Sequence, residues 1–188
     1  MYRDFTMDKK EYRLFISQII RILLTIFILL IKDIPLFAKI ILIMLFDSID
    51  CGISKYLYED WISCDTEIYQ KSDKIIDIIC YLLLAISISY EKAYMKKYVY
   101  IIFGLFFYRF IGTILYIITN IREYLFYFPN FFLEYTLLTS LAIYFPKVCK
   151  YMWLIIPFMI VIKLLQEYYL HIYKVSTYNC SLKPVNTF

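Results

Sequence analysis

Long apolar segments recur along the whole chain, and they constrain its fold more than any other feature of the sequence. A helix needs about 20 mainly apolar residues to cross the hydrocarbon core of a bilayer. The segments that approach this length are Leu14–Ile31, Ile34–Ile49, Ile75–Tyr90, Tyr98–Thr119, Phe126–Tyr144 and Tyr151–Leu170. We therefore predict an all-α, polytopic membrane protein with six transmembrane helices.

The composition argues against an ordinary water-soluble domain. The 188 residues are 62% hydrophobic and 21% aromatic, which is more apolar surface than one soluble core can bury. The formal net charge of +4 is small, and its spread over the loops suits anionic lipid headgroups better than nucleic acid. The five cysteines form no CxxC pair and are odd in number, so neither a zinc site nor a disulfide framework is predicted. We expect membrane lipids as partners and no nucleic acid.

No linker or internal repeat divides the chain, and we predict a single membrane domain over residues 1–188. Residues 1–13 are interpreted as a cytoplasmic juxtamembrane segment, either a short helix at the headgroup level or a disordered terminus. Residues 174–188 are interpreted as a polar tail. The first apolar segment has no small-residue cleavage site, so we expect it to be retained as a span.

Positive charge in the short loops predicts the orientation of the chain. An even number of spans places both termini on one side of the membrane. The lysines and arginines on the terminal side are Arg3, Lys9, Lys10, Arg13, Lys55, Lys71, Lys74, Arg122, Lys174 and Lys183. Those on the opposite side are fewer: Lys32, Lys92, Lys96, Lys97, Lys147 and Lys150. We therefore predict an integral multi-pass protein with cytoplasmic termini.

Four aspartates lie where apolar segments meet the polar loop that joins the second segment to the third. Asp47 and Asp50 end the second segment, and Asp73 and Asp77 begin the third. The i,i+3 and i,i+4 spacings place each pair on one face of a helix. Carboxylates at such borders are costly and usually functional. Two facing pairs would form a cage for a hard divalent cation such as Mg²⁺ or Mn²⁺, on the cytoplasmic side.

This arrangement resembles the signature of the CDP-alcohol phosphotransferases, which are six-span membrane enzymes of phospholipid synthesis. The signature reads D-x2-D-G-x2-A-R, then a gap, then G-x3-D-x3-D, and this chain carries DSIDCGISK and YQKSDKIID. The matching positions are Asp47, Asp50, Ser54, Lys55, Tyr69, Asp73 and Asp77. The chain is also similar to the family in span number, length and motif placement. In the first span, Gln18 and Arg21 match a polar residue three positions before an arginine.

Several motif positions depart from the family pattern. Ser54 and Lys55 stand where the family has Ala and Arg, and Tyr69 stands where it has Gly. A lysine holds a phosphate as a point charge, without the bidentate fork of an arginine. Cys51 and Tyr69 replace glycines that allow a nucleotide to approach the backbone closely. Tyr69 either fills the cytidine pocket or stacks on the base.

The resemblance implies a metal-dependent transferase. It implies transfer of a phosphatidyl group from a CDP-alcohol such as CDP-diacylglycerol to an acceptor alcohol, with release of CMP and with Mg²⁺ or Mn²⁺ as cofactor. Asp47, Asp50 and Asp73 are the implied principal metal ligands, and Asp77 completes the site and accepts the proton of the attacking hydroxyl. The implied substrate-binding residues are Ser54, Lys55, Tyr69, Arg21 and Arg109. A homodimer is plausible by the same resemblance.

Arg109 lies near the middle of the fourth segment, where an arginine normally faces protein or a water-filled cavity. The resemblance assigns it to the binding of a phosphorylated acceptor. The structural alternative is an ion pair with Glu134 or a side chain that snorkels to the interface. Lys163 and Glu167, at i,i+4, are predicted to form a local ion pair, and His171 is assigned no site.

Three functions remain open at this stage. The first is a CDP-alcohol phosphatidyltransferase. The second is a catalytically inactive descendant of that family that binds metal or lipid. The third is an unrelated six-span transporter, channel or scaffold whose aspartates line a cation path. Release of CMP separates the first from the other two.

Overall fold

The computed structural model describes the backbone of residues 9–57, 67–91 and 96–173, and the side chains of residues 16–48, 69–91 and 98–173. Within these ranges the chain forms helices and no strand. In chain order the helices are α1 (Lys9–Leu30), α2 (Leu36–Leu57), α3 (Glu67–Ser89), α4 (Lys96–Thr119), α5 (Glu123–Tyr127), α6 (Phe132–Tyr144) and α7 (Pro146–His171). The prediction of an all-α fold is confirmed for the described residues.

The core of the bundle lies between α2, α3, α4 and α6. Helix α1 packs on α2 and α3, α4 packs on α3 and α6, and α7 packs on α5 and α6. The buried core side chains are Leu36, Ile40, Ile43, Ile76, Cys80, Tyr81, Leu84, Ala85, Ile88, Ile102, Phe106, Phe132 and Leu133. The ring of Phe132 lies 5.5 Å from that of Tyr81 and 6.0 Å from that of Phe106, between centroids. This aromatic contact joins α3, α4 and α6 directly beside the polar groups described below.

The fifth predicted span does not form one helix. Helix α5 ends at Tyr127 and α6 begins at Phe132, because Pro129 has no N–H to donate to a continuing helix. Helix α6 has 13 residues, fewer than the roughly 20 that cross a bilayer. The expectation of one continuous helix over Phe126–Tyr144 is therefore wrong. Among the described residues, two helical segments are long and apolar enough to cross a membrane: Tyr98–Thr119 and Pro146–His171.

Helix α7 presents large apolar side chains outward and buries three polar ones in its C-terminal half. Its buried residues are Lys163, Glu167 and His171, while Trp153 and Phe158 are 75% and 67% exposed. This is the reverse of a helix on a water-soluble protein, which buries its apolar stripe. Lipid is a solvent in which this distribution is stable, because apolar side chains carry no penalty there and charged ones do.

Two glycines of α4 provide a matched pair of stability predictions. A Cβ added at Gly112 would lie 2.3 Å from Cβ of Phe128, whereas one added at Gly104 meets nothing within 4 Å. We expect Gly112→Ala to lower the free energy of unfolding by about 1–3 kcal/mol through overpacking. Gly104→Ala should raise it by about 0.5–1 kcal/mol through helix propensity. Chemical unfolding of both variants in the same lipid or detergent measures the difference, and equal stability would contradict the packing of α4 on the α5–α6 junction.

Candidate functional site

Three aspartates from two helices converge on one guanidinium group. Arg21 in α1 forms hydrogen-bonded ion pairs with Asp47 of α2 and with Asp73 and Asp77 of α3. Its Nη1 lies 2.9 Å from Oδ1 of Asp73. One oxygen from each of the three carboxylates lies within 4.8 Å of the others. Of the four aspartates that the sequence singled out, the structure describes the side chains of these three and brings them together.

Lys74 supplies a second cation, which pairs with the Oδ2 atoms of the two α3 carboxylates. Its Nζ lies 2.8 Å from Oδ2 of Asp73 and 2.7 Å from Oδ2 of Asp77. Lys74 precedes the apolar part of α3. Burial lowers the pKa of its ammonium group, but the carboxylates of Asp73, Asp77 and Asp47 raise that pKa by more than burial lowers it. The pKa therefore lies above its ordinary value. Lys74 therefore stays charged and holds the two α3 carboxylates in position.

The aspartate cluster is closed at one end and accessible at the other. The side chains of Asp77 and Arg21 are 5% and 6% exposed, whereas that of Asp47 is 28% exposed. Three negative charges face the two positive charges of Arg21 and Lys74, which leaves one excess negative charge among these five groups. The excess negative charge suits a cation, and the partial exposure of Asp47 leaves that end of the cluster accessible.

The donor set of the aspartate cluster fits a hard divalent cation. Carboxylate oxygens are the ligands that Mg²⁺ and Mn²⁺ prefer. The guanidinium of Arg21 occupies the position on which the three carboxylates converge. A metal ion at that point requires the Arg21 guanidinium to move aside, because both cannot contact the same Oδ1 atoms. Asp47, Asp73 and Asp77 are the described residues that could hold such an ion.

The start of α3 is tied to α1 next to the cluster. Gln18 Nε2 donates to Oγ of Ser72 at 2.6 Å, and Ser72 Oγ donates to the backbone carbonyl of Tyr69 at 2.9 Å. Tyr69 is buried, with 7% of its surface exposed. The side chains of the other predicted site residues on α2 lie outside the described residues: Asp50, Ser54 and Lys55.

The side chain of Arg109 is hydrogen-bonded to the backbone at the break between α5 and α6. It donates from Nη1 to the backbone carbonyls of Leu125 at 2.9 Å and Phe128 at 2.8 Å. A helix end leaves carbonyls without intrahelical partners, and a buried cation satisfies them here. Among the described side chains, the carboxylate that pairs with Arg109 is that of Glu167, whose Oε2 lies 3.9 Å from Nη1. These contacts favour the structural alternative for Arg109, with Glu167 in the place predicted for Glu134.

A second buried cluster of charges surrounds Glu167, and sequence reasoning predicted only its Lys163–Glu167 pair. Lys163 lies 2.7 Å from Glu134 and 3.6 Å from Glu167, so the predicted local ion pair is confirmed and extended. His171 Nε2 lies 2.9 Å from Oε2 of Glu167. The signal was present in the sequence, because Lys163, Glu167 and His171 recur every fourth position in an otherwise apolar helix.

Comparisons with models of protein families, with curated proteins and with solved structures found no match to this chain.

Proposed function

We propose that this chain is a multi-pass membrane enzyme that transfers a phosphatidyl group from a CDP-alcohol, such as CDP-diacylglycerol, to an acceptor alcohol and releases CMP. The convergence of Asp47, Asp73 and Asp77 at one point carries this proposal. These residues are three of the four aspartates of the signature that the sequence resembles, and they stand on two consecutive helices in the order of that signature.

The proposal places the chain in a membrane through six segments, with cytoplasmic termini and the aspartates near the cytoplasmic face. The inward polar and outward apolar faces of α7 support a lipid environment. The break between α5 and α6 is compatible with it, because Arg109 satisfies the freed carbonyls from within the protein. Broken helices are tolerated at membrane depth when their polar backbone is buried in protein.

The reaction forms one bond and breaks another at the same phosphorus. The oxygen of the acceptor hydroxyl bonds to the phosphorus that carries the lipid, the bond from that phosphorus to the CMP oxygen breaks, and CMP leaves. By the resemblance to the family signature, Asp77 takes the hydroxyl proton. A divalent ion held by Asp47, Asp50, Asp73 and Asp77 would neutralise the diphosphate and the charge that develops on CMP.

The cations of the cluster have their own roles in this proposal. Lys74 holds Asp73 and Asp77 in a fixed geometry. Arg21, once the carboxylates engage another cation, can direct its planar guanidinium to two phosphate oxygens of the donor. Lys55 and Ser54 bind the donor diphosphate by the family pattern, and Tyr69 borders the cytidine.

One observation favours a second candidate, a catalytically inactive descendant that binds lipid. Arg21 and Lys74 already offset two of the three negative charges, and such an ion-pair network can be purely structural. The two candidates differ in turnover. The deciding experiment measures CMP release by the purified protein in vesicles with CDP-diacylglycerol, Mg²⁺ or Mn²⁺, and a panel of acceptors. Metal-dependent release with one acceptor supports the transferase, and no release from folded protein with any acceptor contradicts it.

Replacing Arg21 tests whether the aspartate cluster takes a metal, independently of turnover. Arg21→Gln leaves three carboxylates without their shared cation, so we expect the free energy of unfolding to fall by about 3–5 kcal/mol in chelator. Millimolar Mg²⁺ or Mn²⁺ should restore most of that loss, because the ion then binds where the guanidinium was. Thermal unfolding with and without metal measures the effect.

Lys39→Gln is the matched control for the Arg21 variant. Lys39 is also a buried cation, but it donates to the backbone carbonyl of Leu29 at 2.9 Å. Its removal should destabilise the protein without creating any response to metal. Equal metal responses in the Arg21 and Lys39 variants would argue against a metal site at Asp47, Asp73 and Asp77.

A further inference from the structure

The guanidinium of Arg21 contacts the same carboxylate oxygens that a metal ion in the aspartate cluster would use. Its Nη2 pairs with Oδ1 of Asp47 and Oδ1 of Asp77, and its Nη1 pairs with Oδ1 of Asp73. The side chain of Arg21 is 6% exposed and that of its partner Asp77 is 5% exposed. Arg21 is thus a cation built into the cluster, and it occupies oxygen atoms that an incoming cation needs.

The position of helix α1 does not depend on Arg21 alone. One turn before Arg21, Gln18 Nε2 donates to Oγ of Ser72 at 2.6 Å. One turn after it, Oγ1 of Thr25 lies 3.4 Å from Sγ of Cys80. Both contacts join α1 to α3. The movement that frees the carboxylates can therefore be confined to the Arg21 side chain, while α1 stays on the bundle.

The charges of the cluster distinguish between the cations that could replace the guanidinium. With Arg21 and Lys74 in place, the three carboxylates keep one excess negative charge among these five groups. A divalent ion in place of the guanidinium brings that excess to zero. A monovalent ion leaves it unchanged, and the ion pairs of Arg21 are lost. Because breaking buried ion pairs is costly, a monovalent ion gains nothing that offsets this loss.

We propose that Arg21 is an autoinhibitory cation that closes the aspartate cluster in the absence of metal and gives way to a divalent ion, such as Mg²⁺ or Mn²⁺, but not to a monovalent one. The inference rests on the metal site of the proposed function, and not on the transfer of a phosphatidyl group. Guanidinium and metal exclude each other at the three Oδ1 atoms, so each lowers the affinity of the cluster for the other by the same factor.

Lys74 allows the effect of occupancy to be separated from the effect of charge. It carries the same charge as Arg21, but its ion pairs are with the Oδ2 atoms of Asp73 and Asp77. Arg21→Gln and Lys74→Gln therefore remove the same charge from the cluster. Only the replacement of Arg21 also clears the Oδ1 atoms on which all three carboxylates converge.

Titration of Mn²⁺ into the two variants and the wild type measures the competition. The full chain is held metal-free in phosphatidylcholine nanodiscs, with empty nanodiscs as the blank, and bound Mn²⁺ is counted by electron paramagnetic resonance. We expect Arg21→Gln to gain at least about tenfold more in Mn²⁺ affinity than Lys74→Gln gains. Equal gains in the two variants would overturn the proposal, because Arg21 would then act through its charge alone. Unchanged affinity in Arg21→Gln, or no Mn²⁺ binding by any folded form, would overturn it as well.

Chemical modification of the wild type tests the release of Arg21 without any change to the cluster. Phenylglyoxal reacts with arginine side chains, and mass spectrometry of the peptides reports the rate at each arginine. We expect Arg21 to be protected in chelator and to react about tenfold faster with saturating Mn²⁺. Arg109 is the internal control, because it is bonded to the backbone carbonyls of Leu125 and Phe128, and its rate should not respond to metal.

Potassium at matched ionic strength is the second control, and it should leave Arg21 protected. A rate at Arg21 that does not respond to Mn²⁺, or that responds equally to K⁺, would overturn the proposal. These outcomes are distinguishable from failure of the proposed function. Metal-dependent release of Arg21 without CMP release would leave the inference standing and reject the transferase. CMP release with an Arg21 that does not respond to metal would keep the transferase and reject the competition.

Discussion

Asp77→Asn is expected to reduce CMP release by about a thousandfold, because an amide cannot accept the proton of the acceptor hydroxyl. The substitution keeps the size of the side chain. It also leaves Asp47 and Asp73 to balance Arg21 and Lys74, so the buried cluster becomes neutral and the fold should survive. Initial rates of CMP release with saturating CDP-diacylglycerol, beside a thermal unfolding curve for the same sample, measure the two effects.

Asp33→Asn is the control for the Asp77 variant. Asp33 is an exposed residue of the loop between α1 and α2, and the same chemical change there should leave both rate and stability unaltered. Wild-type rates in a folded Asp77→Asn variant would remove Asp77 as the base. Metal binding should weaken but persist in that variant, because two of the described carboxylates remain.

Glu167→Gln is expected to lower the free energy of unfolding by about 3–5 kcal/mol, the largest stability effect that we predict in the second cluster. The amide leaves Arg109 and Lys163 with Glu134 as the one remaining carboxylate of their cluster. It also presents an N–H group where His171 and Arg109 need an acceptor. Chemical unfolding in nanodiscs, followed by tryptophan fluorescence, measures the loss.

A surface control and a second-site variant make the prediction for Glu167 specific. Glu91→Gln, at an exposed position after α3, should change the free energy of unfolding by less than about 0.5 kcal/mol. Adding Lys163→Met to Glu167→Gln removes the excess positive charge, so the double variant should recover part of the stability. A loss in Glu167→Gln no larger than that in Glu91→Gln would show that α7 is held by apolar contacts alone.

The helices were predictable because hydropathy and segment length are local properties of a chain. Five of the six predicted apolar segments lie largely within single helices. The exception is the fifth segment, which is broken at Pro129 because the missing backbone N–H outweighs an apolar composition that would suit one helix. The neighbours Leu125 and Phe128 then leave carbonyls that a hydropathy argument does not consider.

The aspartate pairs were predictable for the same reason, since spacings of three and four residues place side chains on one helical face whatever the fold. By itself, the sequence determined a helical, lipid-compatible chain with carboxylates grouped at helix borders. Only the tertiary structure decided which cation meets them: Arg21 lies 26 residues before Asp47 and 56 before Asp77. It likewise paired Lys163 with Glu134 and turned Arg109 to backbone carbonyls. Such choices depend on the angles and distances at which helices pack, and no local pattern encodes those.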